Sequence, residues 1–151
     1  MDVMFSYFEP LGKHLHGYLD PVGRNGRPQT ESGKYFKEGV KDIFNFNTID
    51  PKETDMLLDL LWVGIRCGLY HTGQTKGRVF ISGNPKETFQ LATEDKVIIV
   101  NPHNLVDVLI EHVSSYRDRL LNEGENSKLG KNFIARYDHD NPSVKESDLN
   151  D

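Results

Sequence analysis

The sequence predicts a mainly α domain: a helical bundle with a small antiparallel β-hairpin or meander inserted before its last long helix. Three observations point there. Apolar residues recur at helical spacing in most of the chain, as in Leu105, Leu109, Val113, Tyr116 and Leu120. Two dipeptides, Asp50-Pro51 and Asn101-Pro102, pair a capping side chain with a proline at the first helical position. Short β-favouring runs are confined to one stretch, about 78–100.

The first element spans about Val3 to Leu19, where Phe5, Phe8, Leu11, Leu15 and Tyr18 keep helical spacing around Pro10; it reads as a short or kinked helix. "DPVGRNGRPQTESG" is a loop, rich in glycine and proline. "ESGKYFKEGVKDIFNF" puts Tyr35, Phe36, Val40, Ile43 and Phe44 on one face of an amphipathic helix. In "DPKETDMLLDLLWVGIRCGLYH", Asp50 caps, Pro51 opens the helix and Glu53 completes a capping box. After Asp59 this helix is apolar on nearly every side, which predicts the buried centre of the domain, and Gly68 and Gly73 predict its end near His71. Val79 to Ile81, Phe89 to Leu91 and Val97 to Val100 are strand candidates, parted by turn residues at Gly83-Asn84-Pro85 and Thr93-Glu94-Asp95. A last long helix follows from Asn101. Residues 1–122 thus form one domain, and 123–151 a polar, acidic tail expected to be mobile, with "KNFIARY" its only part apolar enough to dock.

The 151 residues suffice for one domain with a real core. At 36% hydrophobic and 27% charged residues the composition is that of a soluble globular protein. No apolar run approaches the roughly 20 residues that span a bilayer, and "MDVMFSYFEP" lacks the pattern of a secretory signal. Cys67, the single cysteine, fits a reducing cytoplasm. A net charge of −5 argues against coating nucleic acid by bulk electrostatics. The charge is uneven, however: Leu11 to Lys41 carries six Lys/Arg against three acids, and Glu123 to Asp151 seven acids against four bases. A local anion-binding surface is therefore compatible with the whole.

Arg66 stands in the middle of an apolar run, with His71 five residues on. On a continuous helix the two would lie about 140° apart in projection, so they share a crevice only if the helix ends between or just after them. Their chemistry suits a phosphodiester. A histidine can deprotonate a 2′-hydroxyl or protonate the leaving oxygen, while an arginine stabilises charge on phosphorus. The plainer alternative is that Arg66 pairs with a buried acid and His71 favours a helix C-terminus.

"IRCGLYH", an Arg–four residues–His motif closing a Leu-rich helix, resembles the signature of the HEPN superfamily (higher eukaryotes and prokaryotes nucleotide-binding domains). The upstream segments "FEPLGKHLHGYL" and "SGKYFKEGVKDIF" and the downstream "VNPHNLVDVLIEHVSSYRDRLL" extend the likeness over roughly Phe5 to Leu121. The resemblance implies a small helical domain, no cofactor, and metal-independent RNA cleavage by Arg66 and His71. It also implies a homodimer whose two motifs face a shared cleft, in a toxin–antitoxin or phage-defence setting with an antitoxin protein as a partner. Two positions depart from the pattern: Cys67 follows the arginine where a polar residue is frequent, and Gly73 stands where some members carry a modifiable tyrosine. A catalytically inactive domain of the same family, used for binding or dimerisation, is the alternative that these departures favour.

Other candidates are weaker. Cys67 and His71 are spaced i,i+4, but a lone cysteine on a buried helix acts mostly as a small hydrophobe. His14 and His16 lie on different helix faces and lack the spacing of a zinc pair. His112 borders the stripe of the last long helix as a half-buried core residue, and His139 sits among the acids of "YDHDNP". No metal site is expected. "DPVGRNGRP" has no P-loop pattern, yet Arg24 and Arg27, with Lys76 beyond the motif, are candidate contacts for RNA phosphates at the rim of a site.

Overall fold

In the computed structural model, residues 2–20, 31–46, 49–68, 74–75 and 77–141 are described. They form helices α1 (Asp2–Ser6), α2 (Phe8–His16), α3 (Ser32–Ile43) and α4 (Pro51–Leu60), which runs on as a π-helical segment over Leu61–Arg66. Strands β1 (Val79–Ile81), β2 (Phe89–Ala92) and β3 (Val97–Val100) follow. Helices α5 (Pro102–Glu123) and α6 (Lys128–Asp140) complete the chain. The protein is mainly α with a small sheet before its last long helices. Among the described residues no helix is long and apolar enough to cross a membrane.

The first predicted helix is two helices, and the break falls at Tyr7 rather than at Pro10. Pro10 lies in the first turn of α2, where its missing N–H would have no partner within that helix. Gly17 closes α2 in the left-handed conformation at φ 63°, its N–H bonded to the Lys13 carbonyl.

Helices α2 and α3 cross at backbone contact, and two glycines allow it. A Cβ on Gly12 would stand 2.0 Å from the Tyr35 carbonyl oxygen, and one on Gly39 would stand 2.0 Å from the Phe8 carbonyl oxygen. Phe8 and Phe36 meet edge to face beside this crossing, with ring centres 5.4 Å apart. The core then gathers Phe5, Val40, Leu57, Leu58, Leu61 and Ile65 from the helices and Val79, Ile98 and Val100 from the sheet.

Helix α4 begins where its sequence predicts, with Pro51 at the first position, but the Asp50 carboxylate accepts from the Lys52 N–H at 2.8 Å rather than from the Glu53 N–H of the expected capping box. It packs centrally, though not on every side: Val63 is 56% exposed. Within Leu61–Arg66 the hydrogen bonds span five residues, and the Cys67 N–H donates to the Trp62 carbonyl. This wider winding rotates every later side chain relative to a continuous α-helix, Arg66 included.

The sheet has strand order β1-β3-β2. Of the two predicted forms the hairpin is present: β2 and β3 pair antiparallel, Leu91 opposite Ile98. A meander would have paired β1 with β2. Instead β1 adds in parallel to the other edge of β3, with Val79 opposite Ile98. The reason is burial: Ile98 and Val100 turn one face of β3 into the core, and Val79 extends that face.

The acidic C-terminal region holds a helix where a mobile tail is expected. Ser127 caps α6 by accepting from the Gly130 N–H at 2.9 Å. "KNFIARY" docks on α2, as its apolar residues suggest, but polar anchors fix it. The Asn132 amide donates to the Leu15 carbonyl at 2.7 Å, and the buried Arg136 donates to the Tyr18 carbonyl at 3.1 Å. Hydrophobic periodicity does not register such anchors. Residues 142–151 of the predicted tail lie outside the described residues.

Candidate functional site around Arg66

Arg66 ends the π-helical segment with a side chain 17% exposed. One of its terminal nitrogens stands 3.5 Å from Glu9 Oε2 on α2. Glu9 is held from two other directions: its Oε1 accepts from the Ser32 hydroxyl at 2.8 Å, at the start of α3, and lies 3.6 Å from Lys13 Nζ, one turn along α2. Three elements therefore converge on one guanidinium–carboxylate contact, and the charge in the apolar run has a partner. Gly33 lies against the Trp62 indole, where a Cβ would meet ring atoms at 3.2 Å, so α3 abuts the same π-helical segment.

Of the residues predicted for the site, Arg66 alone is described. His71, Arg24, Arg27 and Lys76 lie outside the described residues, as does the predicted end of the helix at 69–73. Cys67 is half-buried just past Arg66.

The basic excess between Leu11 and Lys41 is internally compensated at its described members. Lys13 contacts both Glu9 and Asp20, Lys34 contacts Glu31 at 3.1 Å, Lys37 pairs with Asp59, and Lys41 contacts Glu38 at 3.3 Å. A count along the chain hides this, because the acids that neutralise these lysines come partly from other helices.

The other histidines singled out in the sequence occupy separate settings. His14 stacks on Phe133 with ring centres 5.1 Å apart, and burial pushes its pKa below the usual histidine value. His16 lies 3.5 Å from Glu38, and His139 stands beside Asp140. His112 is half-buried as expected but also ties three helical regions together: its Nε2 meets Asp42 of α3 at 2.9 Å, and its Nδ1 meets the Tyr7 hydroxyl at 3.2 Å. That hydrogen bond from His112, with Arg119 nearby, holds the Asp42 carboxyl below the usual carboxylate range. Tyr116 stacks on His112, and burial pushes its phenol up to about 12. Among the described residues no group of three or more His, Cys, Asp or Glu is arranged to hold a metal ion.

Chemically, the Glu9–Arg66 pair offers a fixed cation in a partly dry setting. An arginine there can bind an anionic oxygen in fork geometry with little loss of side-chain freedom, since Glu9 has already restricted it. Glu9 itself was not singled out in the sequence: it lies 57 residues before Arg66, and nothing local links them. Comparison of the chain with protein-family models, curated proteins and solved structures finds no match. The fold defines a mainly α domain with a small mixed sheet, and its candidate site is an arginine held by a carboxylate.

Proposed function

We propose that the chain is a HEPN-like domain that cleaves RNA without a metal ion, in a toxin or phage-defence setting in the cytoplasm. Arg66 stabilises charge on the scissile phosphate, and His71 moves the proton between the 2′-hydroxyl and the leaving oxygen. Arg24, Arg27 and Lys76 contact flanking phosphates, and two chains pair so that their motifs share a cleft, with an antitoxin protein as regulator. The observation that supports this reading is the setting of Arg66. A charged side chain stands within a central apolar helix, at the last residue of a π-helical turn of a kind frequent at functional sites, and is oriented by Glu9.

A second reading has one observation in its favour. The Glu9 contact at 3.5 Å is also what a purely structural ion pair requires, and the lysines near it are already compensated. The domain would then be a binding or dimerisation module. Incubating purified tRNA and total RNA with the protein in chelator separates the two. Fragments with cyclic phosphate ends from wild type, and none from folded Arg66→Ala or His71→Ala, establish cleavage. Intact RNA with folded wild-type protein assigns the module.

A further inference from the structure

The Arg66–Glu9 contact is the end of a longer row of charges. Glu9 lies 3.6 Å from Lys13, Lys13 3.2 Å from Asp20, and Asp20 3.3 Å from Arg136 on α6. Arg136 continues to Asp140, its Nε donating to Oδ2 at 2.7 Å. Signs alternate without a break from α6 to Arg66. The four interior members, Glu9, Lys13, Asp20 and Arg136, have side chains no more than 15% exposed, so solvent screens their interactions weakly.

We propose that Arg136 and Asp140 of α6 are remote positioning residues that set how tightly Glu9 holds Arg66, through Asp20 and Lys13. Each interior group divides its interaction between two neighbours of opposite sign. Removing Arg136 leaves Asp20 to draw on Lys13 alone, so Lys13 shifts away from Glu9 and Glu9 bears more fully on Arg66. Removing Asp20 has the reverse effect: Lys13 turns wholly to Glu9, and Arg66 is loosened. Along the row, loss of an acid at Asp20 or Asp140 frees Arg66, and loss of a base at Lys13 or Arg136 tightens it. A helix packed on the far end of α2 thereby tunes the guanidinium. Its bearing on RNA cleavage rests on the function proposed above, whereas its effect on Arg66 does not.

The test is the rate at which phenylglyoxal modifies Arg66 in the full chain, read by mass spectrometry, with the exposed Arg117 as internal reference. Asp20→Asn and Asp140→Asn are expected to raise the rate, and Lys13→Met and Arg136→Met to lower it, each by roughly two- to fivefold. Arg136→Lys returns the charge and moves the rate back toward wild type. A merely structural role would move all variants in one direction, through loosening of the fold. Shifts of one sign, or none, overturn the relay. Should Arg136→Met not fold, Asp140→Asn against Lys13→Met tests the same opposition. If wild type cleaves RNA, the cleavage rate is measured on the same variants. If it cleaves nothing, the function fails while the modification rates still decide the relay.

Discussion

Arg66 and Glu9 meet at 3.5 Å although 57 residues separate them, and the contact joins the end of the π-helical segment to the second turn-forming residue of α2. Replacing Glu9 with Gln removes the charge but keeps the size, leaving a mostly buried guanidinium less well compensated. The expected loss of stability is about 1–2 kcal/mol, with a smaller further loss when Arg66 is also replaced. Urea unfolding of both single variants and the double checks this, since the coupling energy is read from the cycle.

Gly12 and Gly39 set the distance between α2 and α3. Gly12→Ala pushes a methyl group onto the Tyr35 carbonyl, where backbone cannot yield as a flexible side chain would. Loss of roughly 2–3 kcal/mol or more is expected, despite alanine's better helix propensity. Gly77→Ala, which meets nothing within 4 Å among the described residues but has φ 67°, should cost only the strain of its backbone, about 1 kcal/mol. Thermal unfolding of the two variants side by side makes the comparison.

Asn101 is buried and fully used. Its side-chain oxygen accepts from the His103 and Asn104 N–H groups, and its amide donates to the Pro85 carbonyl at 2.8 Å. It therefore caps α5 and fastens the turn between β1 and β2 to that cap. Asn101→Ala removes both and should cost about 2–3 kcal/mol. Asn101→Asp keeps the cap but cannot donate to Pro85, so its loss should be intermediate. Chemical denaturation midpoints of the three proteins give the order.

Asp42 makes a pH-dependent contribution. Its folded pKa lies below the ordinary value of 3.8, first because His112 hydrogen-bonds its carboxylate. A depressed carboxylate stabilises the fold above its unfolded pKa, and that stability drains away as pH falls through the lower folded value. Wild type should therefore lose stability from about pH 5 downward more steeply than Asp42→Asn, which is the less stable protein at neutral pH and converges on wild type in acid. Unfolding curves taken at intervals from pH 7 to pH 2 would show the two stabilities approaching. Parallel curves would contradict the assignment.

Where a local signal decides the structure, the sequence displays it. Asp50-Pro51 and Asn101-Pro102 mark the starts of α4 and α5 because capping chemistry is confined to a few adjacent residues. The apolar face of α3 is legible for the same reason. What the sequence hides is partnership at a distance. Nothing in "GRVFIS" says that β1 joins β3 rather than β2, and nothing in "KNFIARYDHD" says that Arg136 will find Asp20. The π-helical turn before Arg66 has no composition of its own. In the candidate site, Arg66 stood out because an apolar run isolates it, whereas Glu9 sat unnoticed among ordinary polar residues of a short amphipathic helix.

RNA cleavage by this domain is tested most directly at Arg66 itself, through Arg66→Lys. Lysine keeps the charge beside Glu9 but loses the planar fork that a phosphodiester engages. If the guanidinium takes part in cleavage, Arg66→Lys folds with a stability within about 1 kcal/mol of wild type, and its cleavage of tRNA in chelator falls at least about 100-fold. Undiminished cleavage by folded Arg66→Lys would contradict a role for the guanidinium in the reaction, and so would a wild-type protein that leaves RNA intact while Arg66→Lys fails to fold.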